Sequence, residues 1–293
     1  MKITRSIAEF RAFRESLPEE ASVGFVPTMG ALHEGHLSLL HAARAGCDDV
    51  VLSIFVNPLQ FGSNADLALY PRNESADLEA AEREGVDVAF VPSVEEMYPT
   101  RRSTTVELGR LSEVAEGESR PGHFTGVATI VAKLLNIVRP TVAFFGQKDA
   151  QQVAVVRRMV ADLSWPVVIE ALPTVREPDG LALSSRNARL SPEERGRATI
   201  LHRALMAGQA ELVSGGDPTS AEKAMLEVAG EEPALDLDYA RVLDPDTFED
   251  ANAGDSTLLV IAGTIGNTRL IDNVLVDRHK GGDRPGDPDH VRR

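Results

Sequence analysis

The chain has 293 residues, of which 43% are hydrophobic and 26% charged, and its formal net charge is −15. That length is enough for one large domain or two ordinary ones, each with a core of its own. So acidic a balance excludes a nucleic-acid or anionic-membrane surface, which needs clustered cations, but leaves room for a local pocket of opposite sign.

Residues 1–20 read as an opening strand and a helix, with Ile7, Phe10, Phe13 and Leu17 on one stripe. This mixture is too charged for a secretory leader. Val23-Gly24-Phe25-Val26 reads as a buried strand, and Leu37, Leu40 and Ala43 mark a helix from about His36 to Gly46. Val50–Val56 is a nearly continuous apolar run, as in a parallel strand covered on both faces. A polar-faced helix over 73–84 and a strand over Val88–Val91 follow. Thr104–Leu108 suggests an extra strand, 113–125 is irregular, and a helix spans Gly126–Ile137. Val142–Phe145 and Val167–Ala171 are further strands, with Asp149 placed to cap the helix between them.

Strand and helix alternate as far as Glu177, which predicts a Rossmann-like, doubly wound parallel sheet of five or six strands over residues 1–177. Glu177-Pro178-Asp179-Gly180 is the expected boundary and hinge. Beyond it, residues 178–277 read as a smaller α+β domain. A helix runs from Ser191-Pro192-Glu193-Glu194 to Val213, a second covers Ser220–Ala229, and strands cover Leu235–Leu243, Leu258–Ala262 and Thr268–Val276. Residues 278–293 have the Gly, Pro, Asp and Arg content of a disordered tail. No apolar run reaches the roughly 18 residues of a membrane span. The single cysteine, Cys47, permits no internal disulfide, which fits a cytoplasmic protein, and its place at a helix end reads as packing.

Polar groups cluster where strands end. The first strand runs into Met29-Gly30-Ala31-Leu32-His33-Glu34-Gly35-His36, a glycine-punctuated turn opening a helix, which is a phosphate-binding arrangement. His33 and His36, three apart, share one face and suit an anion whose charge grows during reaction. Asn57 and Gln60 follow the next strand, and Gly146-Gln147-Lys148-Asp149 with Gln152 follow a later one. Ser184-Ser185-Arg186 opens the second domain. Lysines are rare in this chain, only Lys2, Lys133, Lys148, Lys223 and Lys280, which singles out Lys148. Lys148 and Arg186 offer positive charge to a polyphosphate, while Gln60 and Gln152 are neutral and bidentate, suited to a small hydroxy-acid. No P-loop or G-x-G-x-x-G is present, and neither zinc nor calcium spacing is met. By themselves these groups also allow an adenylyltransferase acting on a phosphorylated acceptor, or a non-catalytic nucleotide sensor.

The segment Met29–His36 resembles the H-x-G-H signature of the nucleotidyltransferase α/β-phosphodiesterase superfamily. Ser184-Ser185-Arg186 resembles that superfamily's second phosphate-binding loop, though without its lysine. Taken together, Pro27–Leu39, Val56–Gly62, Phe144–Gln152 and Leu183–Asn187 resemble the pantoate–β-alanine ligase family. That resemblance implies ATP-dependent condensation of pantoate with β-alanine through a pantoyl adenylate, releasing AMP and pyrophosphate. It also implies Mg2+ carried mainly on the ATP phosphates, with no protein metal site, and a homodimer.

Carried onto this sequence, the resemblance makes His36 and His33, with Lys148 and Arg186, the catalytic groups. Met29, Gly30, Ala31, Leu32, His33, Glu34, Gly35 and His36 would line the ATP site. Gly146, Gln147, Lys148, Asp149, Val175, Leu183, Ser184, Ser185 and Arg186 would complete it. Gln60 and Gln152 would bind pantoate, Gln60 would also meet β-alanine, and Asn57 and Tyr70 would be secondary contacts. The second domain is expected to close over the first and bring Arg186 to the phosphates. His123 is expected either to join the phosphate site or to brace a loop, with bracing favoured.

Overall fold

The computed structural model describes residues 1–62, 67–68, 70–100, 103–252 and 256–277. It divides into two compact units, Met1–Arg195 and a second that begins at Gly196. The division thus falls later than the 177/178 break expected from sequence. Glu177–Gly180 is a closed turn, with the Gly180 N–H donating to the Glu177 carbonyl at 2.9 Å and the Glu177 N–H to the Leu181 carbonyl at 2.9 Å. Arg195 forks onto the Asp179 carboxylate at 2.6 and 3.0 Å, which ties both ends of this stretch into the first unit. Arg186 therefore belongs to the first unit and not to a separate lid. The tail expected beyond residue 277 lies outside the described residues.

The first unit holds a parallel sheet of β1 (Lys2–Thr4), β2 (Val23–Thr28), β3 (Asp49–Ile54), β4 (Val88–Phe90), β5 (Val142–Gly146) and β6 (Val168–Leu172), in the order β1-β4-β3-β2-β5-β6. Helices α1 (Ile7–Ser16), α2 (Glu34–Gly46), α3 (Glu74–Arg83), α4 (His123–Val138) and α5 (Ala150–Asp162) are the longer connections. Successive strands from β2 step one way and β5 steps the other, so the order reverses between β2 and β5. Ligands of open α/β sheets bind at such a reversal, beyond the carboxyl ends of the strands. Here β2 and β5 pair only at Gly24–Val142 and Phe25–Ala143, although they run on to Thr28 and Gly146. Their carboxyl ends are left apart. Pro27, which has no N–H to donate, lies in that unpaired stretch.

Packing fixes where α2 lies. Leu39, Leu40 and Ala43 join Val26, Leu52, Ile54 and Phe144 in one buried cluster. Burial of each leucine is worth about 1.5–3 kcal/mol, above the ~1 kcal/mol of a helix cap. The cap decides only where the helix starts. That start is Glu34, two residues ahead of the sequence expectation, because His33 is the N-cap.

Other departures from the sequence reading have local causes. Thr104–Leu108 forms no strand; the Val106 N–H donates instead to the Thr129 hydroxyl at 3.0 Å. Asp149 occupies the cap position of α5 but makes no capping bond. The helix expected over 191–213 is broken into Pro192–Arg197 and Ile200–Val213, and the Thr199 hydroxyl bonds back to the Gly196 carbonyl at 2.8 Å between them. Such side-chain bonds compete with the helical ladder.

The second unit packs helices Ile200–Val213 and Pro218–Ala229 with an antiparallel sheet of β7 (Leu235–Leu243), β8 (Thr257–Ile265) and β9 (Thr268–Val276). Among the described residues no helix is long and apolar enough to cross a membrane. Cys47 is buried and free, and burial pushes its thiol above the usual range.

One close approach links fold to site. A Cβ on Gly126 would lie 2.4 Å from the Leu59 carbonyl oxygen and 2.8 Å from the Gln60 nitrogen. Gly126→Ala gains up to ~1 kcal/mol of helix propensity, but it overpacks against backbone that cannot step aside, costing about 1–3 kcal/mol. The clash wins, and a net loss of stability is expected in a urea unfolding series.

Candidate active site

The turn after β2 is closed by its own side chains. His33 caps α2, its Nδ1 accepting from the Gly35 N–H at 3.2 Å, while the His36 Nδ1 accepts from the His33 N–H at 3.3 Å. The rings lie 4.2 Å apart between centroids. Gly35 is required here for space, since a Cβ would stand 2.9 Å from the His33 ring. Because both Nδ1 atoms accept, each neutral ring carries its proton on Nε2. The phosphate-binding arrangement expected of this turn draws on free backbone N–H groups. Several are already taken: Gly30 donates to the Thr28 hydroxyl at 3.2 Å, and Ala31 and Leu32 donate to Asp77.

The loop after β5 faces these rings. The Lys148 ammonium lies 3.9 Å from the Asp149 carboxylate, and the charges of both residues act on His33 and His36. Desolvation first, then neighbouring positive charge from Lys148, lowers the His33 pKa. Desolvation and His33 lower that of His36 to about 3. Both are neutral imidazoles near pH 7. Desolvation opposes ionisation of Asp149, but the positive charges of Lys148 and Arg186 outweigh it and hold the carboxyl below its usual range.

Arg186 reaches the same neighbourhood from the loop that follows Val175. The Leu183 N–H donates to the Val175 carbonyl at 3.0 Å, and the Ser184 hydroxyl accepts from the Arg186 N–H at 3.2 Å. Tyr70 hydrogen-bonds Ser185, and Arg186, Asp149 and Asp77 are the charged groups that act on its hydroxyl, which burial raises above the usual range. His33, His36, Lys148, Asp149, Arg186, Ser185 and Tyr70 thus form one connected cluster. Met29, Gln147 and Gln152 are half-buried, and Glu34 is exposed.

Gln60 is held from two sides. Asn57, buried, caps the short turn Pro58–Gln60, and its Oδ1 accepts from the Leu59 N–H at 3.3 Å and the Tyr98 hydroxyl at 3.0 Å. With its oxygen so engaged, its Nδ2 donates to the Gln60 Oε1 at 3.0 Å and to the Gly126 carbonyl at 3.1 Å. Gln60 therefore keeps its Nε2 as the donor it can offer a ligand.

The Gln60 backbone carbonyl lies 2.9 Å from His123 Nδ1 and accepts from Arg120 at 3.2 Å. Arg120 also lies 3.2 Å from His123 Nε2 and pairs with buried Glu116 at 3.4 Å. Desolvation, then Arg120, pushes the His123 pKa down to about 4. The neutral ring that donates to Gln60 through Nδ1 and accepts from Arg120 through Nε2 satisfies every distance. His123 is a brace.

Sequence reasoning passed over four of these groups. Asp77 reads as an ordinary acid in the first turn of a helix, and Glu116 and Arg120 fall in an irregular stretch. Gln151, beside Gln152, turns out to hold the 111–116 loop, bonding the Leu111 and Val114 carbonyls at 2.9 and 2.8 Å and the Glu116 N–H at 3.0 Å.

A parallel sheet whose order reverses beside a His-x-x-His turn, faced by a lysine and an arginine, is the arrangement that the resemblance to H-x-G-H nucleotidyl-transfer enzymes implies. Comparison with known proteins narrows this. The family model described as pantoate-beta-alanine ligase matches residues 2–275. The pantothenate synthetase of Acidobacterium capsulatum is 53% identical, covering 94% of this chain and 97% of its own. That of Heliobacterium modesticaldum is 51% identical, covering 94% and 100%. The crystal structure of the Thermus thermophilus enzyme superposes with a TM-score of 0.89 at 47% identity over 94% and 99% of the two chains. The Francisella tularensis ligase, complexed with βγ-ATP and β-alanine, gives 0.78 at 34% identity over 94% and 97%. The chain belongs to the pantoate–β-alanine ligase family, whose reaction joins pantoate to β-alanine.

Two half-buried histidines, His36 and His123, make stability depend on pH. Unfolded histidine takes up a proton near pH 6.5, but His36 and His123 resist protonation in the fold down to about 3 and about 4. The unfolded chain then binds more protons, so stability is retained above pH 6.5 and falls as the pH drops towards 4. The melting temperature should decline over this interval, and less steeply in His123→Gln; an equal decline would remove His123 from this account.

Proposed function

We propose that this chain condenses pantoate with β-alanine in two steps at the carboxyl edge of the parallel sheet. The pantoate carboxylate attacks the α-phosphorus of ATP, forming pantoyl adenylate and expelling pyrophosphate. The β-alanine amine then attacks the acyl carbon, expelling AMP and releasing a proton. The observation that carries this reading is the meeting of two neutral, Nε2-protonated imidazoles with Lys148 and Arg186 at the β2–β5 crevice.

Phosphoryl centres ask for positioning and charge stabilisation more than for a protein nucleophile. His33 and His36 would donate to phosphate oxygens, with Lys148 and Arg186 offsetting the charge that builds on the leaving pyrophosphate. Met29–His36, Gly146–Asp149, Val175 and Leu183–Arg186 line the ATP site in this reading. Gln60 and Gln152 hold pantoate, the first through its Nε2–H, and Gln60 also meets β-alanine. Neutral amides at the acceptor side favour a hydroxy-acid over a phosphorylated acceptor.

When bound, Mg2+ would neutralise part of the triphosphate's charge, and the family resemblance implies that it is carried mainly on the phosphate oxygens. Among the described residues no group of three or more His, Cys, Asp or Glu is placed to hold a metal ion. In keeping with the family resemblance, the enzyme is a cytoplasmic homodimer.

Incubation with ATP, pantoate and β-alanine should yield AMP and pantothenate in equal amounts, and pantoate alone should support exchange of labelled pyrophosphate into ATP. Exchange that ignores pantoate, or product only with a phosphorylated acceptor, would overturn the reading. His36→Ala should lower kcat by roughly 10²–10³, the usual loss for one preorganised donor. Gln152→Ala should raise the KM for pantoate well above any change for ATP.

A further inference from the structure

A carboxylate outside the groups assigned so far touches the histidine turn directly. Asp77, in the first turns of α3, is 4% exposed. Its Oδ2 accepts from the Ala31 N–H at 2.9 Å and its Oδ1 from the Leu32 N–H at 2.7 Å. These residues immediately precede His33. The backbone there is costly to hold, because Gly30 (φ 83°) and Ala31 (φ 54°) both sit in the left-handed region, which an alanine rarely visits. A Cβ on Gly30 would lie 2.8 Å from the Asp77 Oδ2, so the carboxylate is seated directly on the turn.

The adjacent Ala31 and Leu32 N–H groups are both taken up by this one carboxylate. We infer that Asp77 is a positioning residue, which fixes the Gly30–Leu32 turn and thereby the His33–His36 pair, so that the imidazoles and not the turn's N–H groups meet the phosphates. This rests on the role proposed above for the two histidines. Each Asp77 oxygen accepts a peptide N–H of the turn, and through these two bonds it supports the histidines.

Asp77→Asn tests the inference with nearly unchanged shape. The new amide can accept from one N–H but must set its own donor against the other. Displacements of about 1 Å can cost 10² in rate, so kcat for pantoate-dependent ATP–pyrophosphate exchange should fall at least tenfold. The KM values for ATP and pantoate should move less than threefold. The Ala31 and Leu32 amides should lose protection from hydrogen exchange, and the His33 and His36 ring resonances should shift in a protein that still unfolds cooperatively. Asp77→Ala, which removes the acceptors without adding a donor, should show the same split between kcat and KM. Wild-type kcat in folded Asp77→Asn would overturn this inference alone. Absence of pantoate-dependent exchange in the wild-type enzyme would overturn the functional reading with it.

Discussion

The site depends on a helix cap made by imidazoles. Most helix starts satisfy their first N–H groups with a hydroxyl or carboxylate from the cap residue. In α2 the acceptors are the Nδ1 atoms of His33 and His36, each taking a backbone N–H of the other's neighbourhood. One set of bonds thus does two things. It starts the helix, and it leaves the remaining ring proton of each histidine on Nε2. A serine cap would have served the helix as well without leaving a ring donor, and a free histidine would have left its tautomer to chance.

Gln60 shows the same logic with different parts. Its side-chain oxygen is claimed by Asn57, whose own orientation is set by Tyr98 and the Leu59 N–H, while its main-chain oxygen is claimed by His123 and Arg120. The amide has no freedom to flip without pairing two donors. Lowered His123 basicity belongs to this arrangement, since a protonated ring would place a second cation against Arg120. His123 and His36 are both held neutral by burial beside positive charge, the first bonded to the Gln60 carbonyl and the second to the His33 N–H.

Much of this is legible in the sequence because it is written in local pattern. Six apolar strand segments, the His33–His36 spacing, and the lone lysine after β5 each announce themselves within a dozen residues. What stays hidden is long-range. Nothing near Asp77 distinguishes it from any acid complementing a helix dipole, and its partners lie 45 and 46 residues away in sequence. Glu116 and Arg120 look like a charged loop until Arg120 is seen paired with Glu116 and bonded to the Gln60 carbonyl. The unit boundary departs from expectation for a related reason. Pro178-Asp179-Gly180 is genuine turn chemistry, but whether a turn separates units or closes a hairpin is decided by partners such as Arg195, which no window of residues contains.

Net charge and site charge also come apart. An excess of 15 negative charges makes the chain a poor attractor of a triphosphate at long range. Salt screens that repulsion beyond about 8–10 Å, whereas groups at contact are screened far less. Lys148 and Arg186 need only act locally, and they do so beside imidazoles that burial has kept uncharged. Asp149 sits among them as an ionised partner, so the cations are not left facing one another across an empty cleft. An anion entering there would compete with Asp149 for the same two cations.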